Sequence, residues 1–245
     1  DTPASAFAGS RNINNPEKIV IDTTAPLVPI ASPQGGFYNT ARNVRLSVGG
    51  EPSTTRIYYT LDGTNPTVRS PRYSSSIRIA ASKTIKAVAR DVAGNISPIM
   101  TEVYVIDTNK PQLLSFSSET PDGTYGVGSV ITIRANYNEP LKSGSKIAVK
   151  LNTIPDKTTV LTTSTDANSF LRGEYTVAVG DTTNGGKLKV ASIITAPRSA
   201  RENVKDVAGN IRTNSTLPTG ANCNLGNCTT ASSIVINTSV PTPTP

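Results

Sequence analysis

Few residues in this chain can do chemistry, and their types decide a good deal. Histidine is absent from all 245 residues. A Ser-His-Asp or Cys-His nucleophilic arrangement is therefore impossible. The two cysteines, Cys223 and Cys228, sit in the run Cys-Asn-Leu-Gly-Asn-Cys. A metal site would want further Cys or His nearby, so the pair reads as a small disulfide-closed loop, which places the chain in an oxidising compartment. A loop that short contributes about 2 kcal/mol or less. Paired carboxylates can hydrolyse glycosides. Here, however, the acidic residues fall at turns and segment ends, and no aromatics frame them to hold a sugar. The chain reads as non-enzymatic.

Oxygen chemistry gives a sharper expectation. Asp91 and Asp206 each precede an Asn by four residues, in Asp91-Val92-Ala93-Gly94-Asn95 and Asp206-Val207-Ala208-Gly209-Asn210. Calcium takes six to eight oxygens from carboxylates, amides and carbonyls. A calcium site that gathers Glu139, Asp206 and Asn210, or Asp91 and Asn95, fits that demand. The competing reading is that Asp and Asn close their own turns on nearby backbone N–H groups. The dense alternating Asp pattern of strong calcium loops is missing. Beyond calcium, the sequence calls for no cofactor.

The elements that would hold these residues are legible as a repeat. A strand ending in Ile, then Asp or Asn, Thr, and a Pro soon after occurs at Lys18–Pro26, Val103–Pro111 and Ser233–Pro241. The five-residue Asp-Val-Ala-Gly-Asn run lies upstream of the second and third copies. A degenerate version, Phe7–Ile13, precedes the first. A recurring signature of this kind marks an array. It predicts one module over 22–107 and a second over 108–237 that carries insertions at 152–172 and 212–232. Residues 1–21 then read as the closing strand of a preceding unit, in a mature or trimmed form of the protein.

Period-two alternation supplies the strands. Val44, Leu46 and Val48 share one face, as do Ile77 and Ile79, and Ile85, Ala87 and Ala89. In the second module the sets are Ile131, Ile133 and Ala135; Ile147, Val149 and Leu151; and Tyr175, Val177 and Val179. Asp62-Gly63, Asp122-Gly123 and Asn184-Gly185 punctuate them as turns. With 18 Gly, 18 Pro and many Thr and Ser, the fold class is all-β, as tandem immunoglobulin-like β-sandwiches. The terminal Pro-Thr run, within 238–245, reads as an extended linker or stalk.

The stretch 57–98 resembles the C-terminal Ig-like module of chitobiases and β-hexosaminidases. The resemblance rests on Tyr59–Thr67, on Lys83–Ala89, and on the Asp91…Gly94-Asn95 that follows. Module two is similar to bacterial Ig-like and cadherin-like surface repeats, through Pro121–Tyr125, Ile131–Ile133 and Asn138-Glu139-Pro140. Such families imply spacer, adhesive or substrate-presenting roles. In cadherin-like repeats, an acidic residue placed as Glu139 is lies near a module end. Neither module type carries catalytic residues of its own.

Partners follow from what remains. The net charge is +7, with 24 basic against 17 acidic residues. The basic residues are scattered and no nucleic-acid motif occurs, so no specific nucleic-acid partner is expected. No run of about 18 apolar residues offers a membrane span. Phe37, Tyr38, Tyr58, Tyr59 and Tyr73 are the aromatics of module one. One of the adjacent tyrosines is expected to face the core; the other is either an ordinary exposed aromatic or free to stack on a cell-surface glycan. The Lys18-Ile19-Val20-Ile21 strand lacks a local partner in this reading. It is a candidate for strand exchange into a copy of itself, for pairing with neighbouring Ig-like modules, or for pairing within module one. The whole points to an extracellular or bacterial-surface stalk, adhesin or fibre subunit. A non-catalytic region of a secreted glycan-active enzyme is the alternative.

Overall fold

The computed structural model describes residues 21–50, 52, 54–163, 165–166, 168–194, 202–214, 216–218 and 233–239. Among these there are strands and no helix, so none is long and apolar enough to cross a membrane. The chain divides into two compact units. The first takes the residues up to Ser32, with Arg45–Ser76 and Ile85–Thr101; the second takes Pro33–Val44, Ile77–Thr84 and the chain from Glu102 on.

In the first unit, β1 (Ile30–Ser32) pairs antiparallel with the last residues of β3 (Arg42–Ser47), setting Ala31 opposite Leu46. There β4 (Arg56–Thr60) pairs antiparallel with β6 (Lys83–Arg90), from Arg56 opposite Arg90 to Thr60 opposite Lys86. Ile85, Ala87 and Ala89 are all fully buried, as their alternation requires. Tyr58 is buried and Tyr59 half-buried, which divides the adjacent tyrosines between faces. Residues 71–73 cover the outer edge of β4, with Tyr59 N–H donating to the Pro71 carbonyl and Tyr73 N–H to that of Ile57. An edge so covered is closed to further pairing.

In the second unit, β2 (Gly36–Tyr38) runs parallel to the end of β7 (Met100–Ile106), with Gly36 opposite Tyr104 and Tyr38 opposite Ile106. β5 (Ile77–Ile79) pairs with the start of β3, burying Val44, Ile77 and Ile79. The main sheet has β8 (Leu113–Ser118) at one edge. It continues through β10 (Val130–Tyr137), β13 (Phe170–Thr176), β12 (Thr158–Thr162) and β11 (Lys146–Leu151) to β14 (Val190–Ile193), and β15 (Glu202–Asn203) also pairs with β11. A separate parallel pair joins β9 (Gly123–Tyr125) to β16 (Ile234–Ile236).

The main sheet of this unit contributes to one hydrophobic core cluster. It takes Ile131, Ile133 and Ala135 from β10, Ile147, Val149 and Leu151 from β11, and Ile234 and Ile236 from β16. Phe116, Tyr137 and Tyr175 are its buried aromatics. The sets expected from alternation are buried here, except for Val179, which is 84% exposed. The strand ends at Thr176, and a tight turn follows in which Asp181 N–H donates to the Ala178 carbonyl. Val179 rides on that turn's tip and leaves the period-two series. The stretch 152–172, set apart in the sequence as an insertion, contains β12 and the start of β13, and both Leu161 and Leu171 are fully buried.

Candidate functional site

The two Asp-Val-Ala-Gly-Asn runs fold into one device, built once in each unit. In the first, Arg90 bridges Ile96 and Ser97 N–H donates to the Ala89 carbonyl, so the run caps a tight hairpin. Asp91 Oδ1 accepts the N–H groups of Gly94 (2.7 Å) and Asn95 (2.8 Å). Asp91 Oδ2 accepts from Asn95 Nδ2 (2.8 Å), which also donates to the Asp22 carbonyl (3.0 Å). Gly94 sits at φ +104°, a conformation that side chains disfavour, and this explains why glycine stands there. Desolvation alone would raise the Asp91 carboxyl. The bonds from Asn95, Gly94 and Ala93 outweigh it and hold the group below its usual range.

In the second unit each contact recurs. Lys205 bridges Ile211, and Arg212 N–H donates to the Val204 carbonyl. Asp206 Oδ1 accepts from Gly209 N–H (2.6 Å) and Asn210 N–H (2.8 Å). Asn210 Nδ2 donates to Asp206 Oδ2 (2.7 Å) and to the Asp107 carbonyl (2.8 Å). Gly209 has φ +96°. The clamped carbonyls, at Asp22 and Asp107, belong to the residue that ends the repeated strand signature. Each of these Asp side chains closes a further turn by accepting an N–H two residues on, from Thr24 or Asn109, at 2.9 Å.

The third copy of the strand signature is built alike. Asn237 Oδ1 accepts Ser239 N–H at 2.9 Å. Asn237 N–H donates to the Tyr125 carbonyl, as Asp107 N–H does to that of Tyr38. Tyr38 and Tyr125 each donate their hydroxyl to the carbonyl four residues back, Gln34 and Pro121. The strand end, its parallel partner and the tyrosine brace form a unit that recurs with its register intact.

Beside the second device three carboxylates meet. One oxygen from each of Asp107, Glu139 and Asp206 lies within 4.8 Å of the others. A bridge between Leu141 and Asp206, with Lys142 N–H donating to the Lys205 carbonyl, brings Glu139 up to the turn. Glu139 Oε1 is buried, and among the described residues no hydrogen-bond partner reaches that oxygen. Desolvation first, then the charges of Asp206 and Asp107 and a hydrogen bond with Asp107, push Glu139 up to about 7. The recess here is also lined by Phe37, Pro140 and Ala208. A hard cation suits this donor set, since it would supply the charge that an orphaned carboxylate oxygen lacks. The protein would supply three carboxylates, with water to complete the shell.

The structure thus joins Glu139 and Asp206 and adds Asp107, the acidic residue at a module end. Asn210 stands beside them as a donor through its amide nitrogen. Asp91 and Asn95 form their own turn, and no second trio of carboxylates gathers around them among the described residues. Phe37 is 55% exposed. Cys223 and Cys228 lie outside the described residues, as do Lys18, Ile19 and Val20 of the expected exchange strand; Ile21 is 82% exposed.

A buried ionic group had no signal in the sequence. Asp181 is fully buried and accepts from Tyr175 Oη (2.7 Å) and Ala178 N–H (2.8 Å), with Lys157 Nζ at 3.0 Å. Desolvation opposes its charge, yet these three donors win and hold the carboxyl below its ordinary value. Its contacts tie β13 to the turn that follows, a structural task.

Residues 33–101 match the family model of the chitobiase/beta-hexosaminidase C-terminal domain. That range takes in the whole of 57–98, the stretch that carries the resemblance read from the sequence. Among solved structures, the D00-D0 domain of Intimin aligns at 13% identity and TM-score 0.31, covering 74% of this chain and 96% of that one. No curated protein sequence matches the chain.

Proposed function

We propose that the chain is a non-enzymatic extracellular structural or adhesive protein, a surface stalk, adhesin or fibre subunit assembled from tandem Ig-like modules over 22–107 and 108–237. The observation that carries this reading is the duplicated device. A five-residue turn spends its Asp, Gly and Asn on fixing its own backbone and on gripping the carbonyl that ends a repeated strand. Residues repeated for that purpose serve positioning, which is what a spacer needs. The test is to image the intact protein on its native surface. Extended projections carrying the chain are expected; chain found only as free soluble enzyme would sink the reading and favour an accessory region of a secreted glycan-active enzyme.

A second reading concerns the Asp107–Glu139–Asp206 cluster, which we assign to calcium. The buried Glu139 Oε1, without a hydrogen-bond partner among the described residues, favours it. Bound cation would hold Glu139 ionised and fasten residues 107, 139 and 206 together. Titration of the metal-free chain by calorimetry at pH 8 is expected to show one calcium per chain, abolished by Glu139→Gln. Equal binding by that variant would refute the assignment.

A further inference from the structure

We infer that the Asn237 carbonyl is a docking point for the Asp-x-x-Gly-Asn turn of a further module joined downstream of it. Three strand ends share one construction: Asp22, Asp107 and Asn237 each close an Asx turn at 2.9 Å. Two of their carbonyls are gripped, that of Asp22 by Asn95 Nδ2 at 3.0 Å and that of Asp107 by Asn210 Nδ2 at 2.8 Å. Asn237 is exposed, and among the described residues no donor reaches its carbonyl.

The surroundings of Asn237 match those of Asp107 rather than those of a generic turn. β16 lies parallel to β9 in the register that β7 keeps with β2, with Ile236 opposite Tyr125 as Ile106 is opposite Tyr38. The backbone N–H of residue 237 is tied to that tyrosine's carbonyl, and Thr238 Oγ1 is tied to the Asp181 carbonyl at 2.8 Å. Chain on both sides of the Asn237 carbonyl is therefore fixed in place, which lowers the entropy cost of accepting a donor.

The occupant is set by the same logic. In both gripped cases the donor comes from an Asp-Val-Ala-Gly-Asn turn further along the chain, 73 residues beyond Asp22 and 103 beyond Asp107. Among the described residues a second copy of this chain has no free turn to offer, since the Asn side chains of both Asp-Val-Ala-Gly-Asn runs are engaged at home. A downstream module with its own Asp-x-x-Gly-Asn turn meets the need. This inference rests on the tandem-module reading above, and its test is separable from it.

The test extends the full chain after Pro241 with a duplicate of residues 112–239, so that Pro241 takes the place of Pro111. Nuclear spin relaxation then reports whether the duplicate moves with the module that ends at Asn237. Shared tumbling is expected, with release when the duplicate carries Asn210→Asp, which keeps the turn's size and removes the amide donor. Should the first duplicate fail to fold, one of residues 27–109, whose turn carries Asn95, takes its place with Asn95→Asp. Independent tumbling of a folded, unsubstituted duplicate would overturn the inference, and so would coupling that survives the substitution. Failure of both duplicates to fold behind this end would overturn it too. Each of these results leaves the surface role to be decided by imaging.

Discussion

Replacing Glu139 with Gln should stabilise the metal-free protein at pH 8 and leave it nearly unchanged at pH 4. Glu139 is raised from 4.5 to about 7 by desolvation and by the charges of Asp206 and Asp107. A carboxyl raised on folding contributes its stability below the unfolded value. That contribution is lost as pH climbs through the folded one, because the folded state holds the proton longer. The window is therefore roughly pH 4.5 to 7. The full difference converts to about 3 kcal/mol, and screening at a partly exposed cluster lowers the expectation to about 2 kcal/mol. Glutamine keeps the shape and removes the charge, so it should recover that amount at pH 8. Urea unfolding in the presence of a chelator, followed by circular dichroism at both pH values, measures it. If wild type loses no stability between pH 4.5 and 8, and Glu139→Gln gains none, the like-charge cluster is not as described. If calcium occupies the cluster, millimolar calcium at pH 8 should restore wild type and leave the variant unmoved.

Other perturbations have signs fixed by the same contacts. Asn210→Ala removes the donor to both Asp206 and Asp107, and at this buried site should cost about 2 kcal/mol in urea unfolding; Asn95→Ala, half-exposed, should cost about 1. Gly209→Ala should cost about 1 kcal/mol or more, since its φ of +96° is strained for alanine. Gly173→Ala should lower the melting temperature, because its Cβ would collide with the Val160 carbonyl and the Leu161 side chain. Asp181→Asn should cost about 3 kcal/mol at pH 7 by stranding Lys157 and Tyr175. Because Asp181 is held below its ordinary value, wild type should lose stability as pH falls below about 4.

Much of the fold could be read from the sequence because one face of each strand is buried and the period is two. Ile131, Ile133 and Ala135 announce β10 in this way, and they end at 0% exposure. β12 is harder to see. Its Thr158-Thr159-Val160-Leu161-Thr162 run puts Thr159 and Leu161 inward, and a buried threonine looks polar on paper. Thr159 is accommodated because its hydroxyl donates to the Glu174 carbonyl, a partner that only the folded chain identifies. Val179 failed for the opposite reason, since alternation continues in the text after the strand has turned.

The site was half legible. Asp206 and Asn210 were marked by repetition, and Glu139 by its place before Pro140. That the two Asn side chains reach back to Asp22 and Asp107 was hidden, because no local pattern links residues 73 and 103 apart in the chain. The repeated strand ending was the available signal: a residue that recurs at a strand's last position, with a turn motif that recurs downstream, invites the two to be paired.

Both turns grip a strand-end carbonyl through an asparagine amide. Selective nitrogen labelling of asparagine, with side-chain amide exchange followed by nuclear magnetic resonance, tests this directly. The Asn95 and Asn210 amide protons should exchange far more slowly than those of exposed asparagines such as Asn214, and each pair should lose that protection when its own Asp91 or Asp206 is changed to Ala. Amide protons at 95 and 210 that exchange as fast as those of Asn214 would contradict it.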